Sequence, residues 1–179
     1  ISRGARTRPR RVFKTLKGLV FDTRLRRRKA FLRSLPLFAD LRERELARLA
    51  QGLHARVYQP GETIFLEGDI GRALFILESG KVKLSRLNAS ASPQTIYTVS
   101  PGEFFGEMAL LEQLPRTASA AAVEKSQLYL LYRSQLEALL SRHPRIGATV
   151  MAHFARLLSS RLRAAIGRGG EARGLPPVP

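Results

Sequence analysis

The sequence contains no cysteine, which excludes a disulfide framework and any thiolate metal site. Its three histidines, His54, His143 and His153, are far apart and form no HxxxH-type pair, so no metal is expected. No run approaches the ~20 consecutive apolar residues of a membrane-spanning helix, and no signal-peptide pattern is visible. No nucleophile stands with a base and a third orienting group, so turnover is not expected either. Acid is scarce at both ends. Residues 1–33 hold 13 Lys and Arg against Asp22 alone, and residues 142–179 hold seven against Glu171 alone. The net charge of +17 therefore divides as +12 over 1–33, −1 over 34–141 and +6 over 142–179. Such an imbalance speaks about partners rather than fold: nucleic acid, an anionic membrane surface or an acidic protein. The sequence opens on Ile1 rather than methionine, which leaves a preceding segment open.

What is present is enough for one cored domain. With 179 residues, 44% of them hydrophobic, the chain can build a real core plus flanking segments, but hardly two full domains. Residues 1–11, ISRGARTRPRR, are basic and nearly free of apolar side chains, and disorder is expected there. From Val12 to about Ser34 the early apolar residues fit a helical stripe, and Arg24 to Lys29 give a cationic turn or helix face. After Pro36, a helix follows in "LPLFADLRERELARLA", with Asp40 as its expected cap and Glu43 at capping-box spacing.

The texture changes at Val57. Short β-rich runs are separated by Pro60-Gly61, Gly68-Asp69 and Ser79-Gly80, as in antiparallel strands joined by turns. "NASASPQ" (88–94) reads as a polar loop, and "TIYTVSPGEFFGE" and "ASAAAVEKSQLYLLYR" supply further strands. Strands at such spacing suggest a sandwich or barrel, a jelly roll being one form. Helical periodicity returns at Ser134 and, after Pro144, continues through Ile146, Val150, Phe154, Leu157, Leu158 and Leu162. Gly167, Gly169 and Gly170 are expected to end that helix, with 167–179 a disordered tail. Too few residues follow it for a helix-turn-helix, and no base-reading motif is seen.

One stretch asks for an explanation: "FFGEMALLEQLPRTASA". Gly106 permits a tight backbone at the start of a short helical turn. The free N–H groups of a helix start suit a phosphate, and Arg116 adds a planar fork of donors with a permanent charge. Glu107 would repel a bare phosphate, but it suits a ligand that also offers hydroxyl donors, as a ribose does. The small residues from Ala118 to Ala122 leave room beyond. A carboxylate for a hydroxyl and a guanidinium for a phosphate together imply a nucleotide. The structural alternative is a capping carboxylate with an arginine as its ion-pair partner.

These residues resemble the phosphate-binding cassette of cyclic nucleotide-binding domains, found in catabolite activator proteins, cyclic-nucleotide-dependent kinases and cyclic-nucleotide-gated channels. The cassette is matched by Phe105-Gly106-Glu107-Met108-Ala109-Leu110 and then Pro115-Arg116-Thr117-Ala118, and the ten-residue interval from Gly106 to Arg116 is that of the kinase members. The resemblance extends over about 34–165 and includes "PGETIFLEGD", "LFILESGKVKL" and "PGEFFGE", with Gly61, Gly68, Gly80 and Gly102 at the family's turns. It implies an α+β fold, an antiparallel jelly-roll-like β-roll flanked by N-terminal helices and C-terminal hinge or lid helices. It divides the chain into a basic, partly helical segment (1–33), a cyclic nucleotide-binding domain (34–166) and a tail.

The resemblance also implies roles. Glu107 would bind the ribose 2′-hydroxyl and Arg116 the cyclic phosphate, helped by the N–H groups of Met108 and Ala109. Thr117 would meet the phosphate and a syn guanine, which leans toward cGMP tolerance without excluding cAMP. Phe65, Leu74, Val82 and Leu84 would be core or pocket wall, with Glu67 and Gly68 on the ribose side. The expected function is a cytoplasmic, non-enzymatic sensor for cAMP or cGMP, in which ligand moves the helix at about 145–166. Phe154, Leu157, Leu158 and Arg161 are candidates to face the base, and the same helix could pair with a second copy. The alternative is an electrostatic binding protein for nucleic acid or anionic membrane, working through its basic termini on a ligand-free version of the fold.

Overall fold

The computed structural model describes residues 12–88, 91–108 and 114–173. The expected disorder of 1–11 and of 174–179 concerns residues outside that set. The chain forms two compact units, Ile1–Gln51 and Gly52–Pro179, whereas the break in charge lies after residue 33.

In the first unit, helix α1 (Val12–Ser34) leads through a 3-10 turn (Pro36–Phe38) to helix α2 (Glu43–Gly52). Leu32, Leu35, Phe38, Leu41, Leu46, Leu49 and Ala50 are all buried. Arg33 ties the turn together by donating from Nη1 to the carbonyls of Leu41 at 2.5 Å and Ala39 at 3.1 Å. The carboxylate contact at the helix start sits two residues later than the sequence suggested, and it is one-sided, since an arginine side chain has no acceptor to return it. The Glu45 carboxylate accepts the Arg42 N–H at 2.8 Å, and Leu46 N–H closes on Arg42 C=O. Asp40 is not the cap, because the helix starts at Glu43 and the residue before it, Arg42, has its N–H taken by the Glu45 carboxylate. Glu43 instead pairs with Lys29 and Arg33, which hold its carboxyl below the usual range.

The second unit is two four-stranded antiparallel sheets face to face. One has strand order β1-β8-β3-β6 and the other β2-β7-β4-β5. The strands are β1 (His54–Tyr58), β2 (Thr63–Phe65), β3 (Ala73–Ser79), β4 (Val82–Leu87), β5 (Pro93–Val99), β6 (Phe104–Phe105), β7 (Ser119–Ala122) and β8 (Ser126–Tyr132). Side chains alternate across a strand, so the pattern of each run decides its place. β4 and β5 carry polar residues on their outer face and bury only part of their length. β3 and β8 are apolar at both parities, and both faces are buried. Phe75 and Leu77 of β3, with Leu128 and Leu130 of β8, enter the inter-sheet core beside Val82, Val99 and Phe105. Leu74, Ile76, Tyr129 and Leu131 are buried on the opposite face. At about 1.5–3 kcal/mol for each large side chain buried, these two strands are the main apolar investment of the unit. The expected loop at 88–94 is shorter at its C-terminal end, because Pro93 and Gln94 already pair with Leu87 and Arg86.

Helices α3 (Arg133–Arg142) and α4 (Pro144–Arg173) complete the unit. α4 runs through Gly167, Gly169 and Gly170, so these glycines do not end it as expected. The cost of roughly 1 kcal/mol per helical glycine was not decisive within so long a helix. Ile146, Val150 and Phe154 are buried, and the His153 ring lies 5.5 Å from that of Phe104 in β6. Among the described residues no helix is long and apolar enough to cross a membrane.

Two outcomes follow. Gly80 has φ of +93°, and a Cβ there would approach Lys125 C=O to 2.6 Å, in backbone that cannot yield. Gly80→Ala should therefore lower the unfolding free energy by about 1–3 kcal/mol, read from urea denaturation. The pKa of His153 is lowered by burial and then by Arg156. Its folded state thus resists protonation, so stability present at neutral pH is lost as pH falls below ~6.5, through the lowered folded value. His153→Phe should remove that slope in denaturation curves compared across this window.

Candidate functional site

β6 is short because its strand path is broken by Gly106, whose φ is +76°. The backbone turns there, and Glu107 and Met108 are helical. A Cβ at residue 106 would collide with Nη1 of Arg116 and lie 3.2 Å from its Cζ. Glycine is thus required twice, once for the left-handed backbone and once for the arginine beside it.

The chain returns at Leu114. Ile70 and Pro115 form an isolated antiparallel bridge. Next to it Arg116 N–H donates to Asp69 C=O at 2.8 Å, and Gly68 N–H donates to Arg116 C=O at 2.9 Å. The 66–69 turn is itself closed, with Asp69 Oδ2 accepting Leu66 N–H at 2.8 Å. Glu67 N–H donates to Ser119 Oγ at 2.9 Å, and the Glu67 carboxylate pairs with Arg86. Arg116 is therefore fixed at its main chain by a turn that lies almost fifty residues earlier in sequence.

Its side chain is fixed as firmly. Nη1 donates to Gly106 C=O at 2.6 Å and Nη2 to Ala73 C=O at 2.7 Å. The guanidinium lies 4.2 Å from the Phe65 ring centre and 5.4 Å from that of Phe75. Phe75 and Phe105 stack beneath at 5.1 Å, paired in register across β3 and β6. Arg116 is only 6% exposed and Glu107 only 1%. Burial pulls the guanidinium pKa down, and the carboxylates of Glu107 and then Asp69 push it back up. An arginine does not shed its proton under such pressure, so a positive charge sits inside the domain. Of its five donors, Nε–H is buried with no hydrogen-bond partner.

The structure thus brings Phe105, Gly106, Glu107, Pro115, Arg116 and Ala118 together. Phe104, Phe105 and Ala118 are buried, and Tyr129 is core. Met108 is 40% exposed, and Thr117 is exposed and precedes β7 rather than lying on it. Ala109 lies outside the described residues, as do the side chains of Leu157 and Arg161. Phe154 is buried, so it is not open to a base in this conformation, while Leu158 is half-buried. Phe65 and Leu84 pack partly buried against the core that holds Val82, and Leu74 lies on the outer buried face. The sequence reading missed Ala73 and Asp69 as anchors of the arginine. Both act through carbonyls, which leave no trace in residue type. Ser119 was noted only for its small size, and its hydroxyl proves to be an acceptor.

Residues 55–143 match the family profile of the cyclic nucleotide-binding domain. The chain belongs to the cyclic nucleotide-binding domain family. It is 40% identical over 135 residues to the cyclic AMP receptor protein of Thermus thermophilus, covering 75% of this chain and 60% of that one. It is 36% identical to the cAMP-dependent protein kinase regulatory subunit of Aspergillus niger, covering 70% of this chain and 31% of that one. Among solved structures, a cyclic nucleotide-binding domain from Methylobacillus flagellatus superposes with a TM-score of 0.72 at 26% identity, covering 82% of this chain and 83% of that one. The N-terminal domain of a transcriptional regulator from Streptomyces coelicolor gives 0.65 at 32%, covering 73% and 94%. This chain therefore spans 60% of the Thermus relative and about a third of the kinase subunits. Its fold is the family's β-roll with flanking helices.

Gly106→Ala should displace the Arg116 side chain, because the added methyl takes the space of Nη1 while the bonds from Nη1 to Gly106 C=O and from Nη2 to Ala73 C=O hold the guanidinium in place. A loss of about 2 kcal/mol or more in unfolding free energy is expected. Loss of the Arg116 Nη hydrogen-bond signals in nitrogen-15 NMR would accompany it.

Proposed function

We propose that this chain binds a cyclic mononucleotide, cAMP or cGMP, as a regulatory module without catalytic activity. The observation that carries the reading is the buried Arg116 cation, with an unpartnered Nε–H, beside the Gly106 turn and a second buried charge of opposite sign, Glu107. An anionic phosphate answers the first charge and a ribose hydroxyl the second. The phosphate would compete with the Gly106 and Ala73 carbonyls for the guanidinium, aided by the N–H groups of Met108 and Ala109. Phe105, Gly106, Pro115 and Ala118 shape the cradle, and Thr117, exposed at its edge, would meet the base. The family relatives named for cyclic AMP support this reading.

The unit doing this work would be 34–166, with 1–33 an appended basic segment. Ligand would act by shifting the population of α4 positions, to the extent that it binds one position better than another. Leu162 and Ile166, 61% and 63% exposed and four residues apart on α4, suit pairing with a second copy. The net +12 of 1–33 favours an additional contact with an anionic membrane or an acidic protein. The location proposed with this reading is the cytoplasm.

Calorimetry with cAMP and cGMP tests the reading. The wild type should bind at least one of them, and Arg116→Ala should weaken it by ~1.5–3 kcal/mol or more, the range of a charge-assisted hydrogen bond. Thr117→Ala should weaken cGMP more than cAMP. Absence of binding to both nucleotides would overturn the proposal.

A further inference from the structure

A concavity lies where the chain enters β3 and leaves β8. It is an open groove of about 460 Å³, lined by Ile70, Arg72, Tyr132, Arg133 and Glu137 among others. Its walls are joined by the β3–β8 pair Ala73 with Tyr132, by Arg133 N–H to Arg72 C=O at 3.0 Å, and by Arg133 Nη2 to Gly71 C=O at 3.4 Å. Its floor is apolar and open: Ile70 is 74% exposed and Tyr132 40%. Isolated exposed apolar residues are ordinary, but these two stand together in a concave site with two arginines and one acid.

We propose that this groove docks a short acidic segment of a partner protein, one carrying an apolar side chain among its carboxylates. The floor accepts the apolar group, while Arg72 and Arg133 outnumber Glu137 and favour carboxylates. A dense polyanion meets repulsion from Glu137 and gains nothing from Ile70. A second copy of this chain is a poor occupant, since each copy carries +17.

The groove is also wired to the arginine, and this part rests on the nucleotide reading. The segment that supplies Ile70 and Arg72 to the groove is tied to the arginine at two points, by the Ile70–Pro115 bridge beside it and by the next residue, Ala73, whose C=O accepts from Nη2. A phosphate that draws Nη2 away from Ala73 loosens one wall of the groove, so nucleotide and peptide affinities are linked and must change one another equally.

The probe is a fluorescein-labelled peptide of Glu-Glu-Leu repeats, followed by anisotropy on the full chain. The wild type should bind it. The double substitution Ile70→Ser with Arg72→Glu should weaken it about tenfold or more, while Arg24→Glu with Arg26→Glu on α1 should leave it unchanged. In nitrogen-15 NMR of the wild type, which needs no variant to fold, the peptide should shift Ile70, Arg72, Tyr132 and Ser134. No binding, equal binding by the groove variant, or shifts confined to α1 would overturn the docking site, the last pointing to general attraction by the basic end. Saturation with whichever nucleotide binds should change the peptide Kd by roughly fivefold or more, and an unchanged Kd overturns the linkage. Nucleotide binding itself is measured separately by calorimetry. Its failure overturns the sensor reading and the linkage, while the groove is judged by the peptide alone.

Discussion

A buried guanidinium organises this domain. Arg116 sits against two phenylalanine rings and between the carbonyls of Ala73 in β3 and of Gly106 just after β6, while its main chain is clamped to the 66–69 turn. A cation in such a place is costly unless its donors and its charge are answered. Two carbonyls and the fields of Glu107 and Asp69 answer it in part, and its Nε–H is left without a hydrogen-bond partner. Under the proposed function the arrangement would join stability to binding, because the groups that hold the arginine are the groups a phosphate would have to outbid.

The rest of the second unit can be understood as support for that position. β3 supplies Phe75 beneath the charge and the Ala73 carbonyl beside it, and its pairing with β8 and β6 fixes both. Gly106 exists in the shape it does because the arginine occupies the space a side chain would need. β8 continues into α3, and the contact of Phe104 with His153 brings α4 to the strand that precedes the Gly106 turn. The Gly106 turn that touches the arginine is thus next in sequence to a strand packed on α4.

Much of the fold was legible as pattern. Glycine and proline between short apolar runs located the strands β1 to β4. Element ends were less legible. Asp40 looked like a cap, yet Arg42 with Glu45 took that role, because helix starts are decided by which carboxylate can reach which N–H. Three glycines looked like a stop, yet α4 passes through them. The site divides in the same way. Gly106, Glu107 and Arg116 stand out as residue types, whereas Ala73 and Asp69 contribute carbonyls that any residue could supply.

Sequence alone determined the chemistry available: a glycine that allows a left-handed turn, one acid, one permanently charged fork, no thiol, and an excess of positive charge at the ends. Those are properties of side chains, and they survive without a fold. Only tertiary structure decided that the fork is buried, which two carbonyls it holds, which ring it covers, and that Ile70, Arg72 and Tyr132 share a groove. Those depend on strand register and on burial, which bring together groups far apart in the chain and remove the water that would otherwise have screened them.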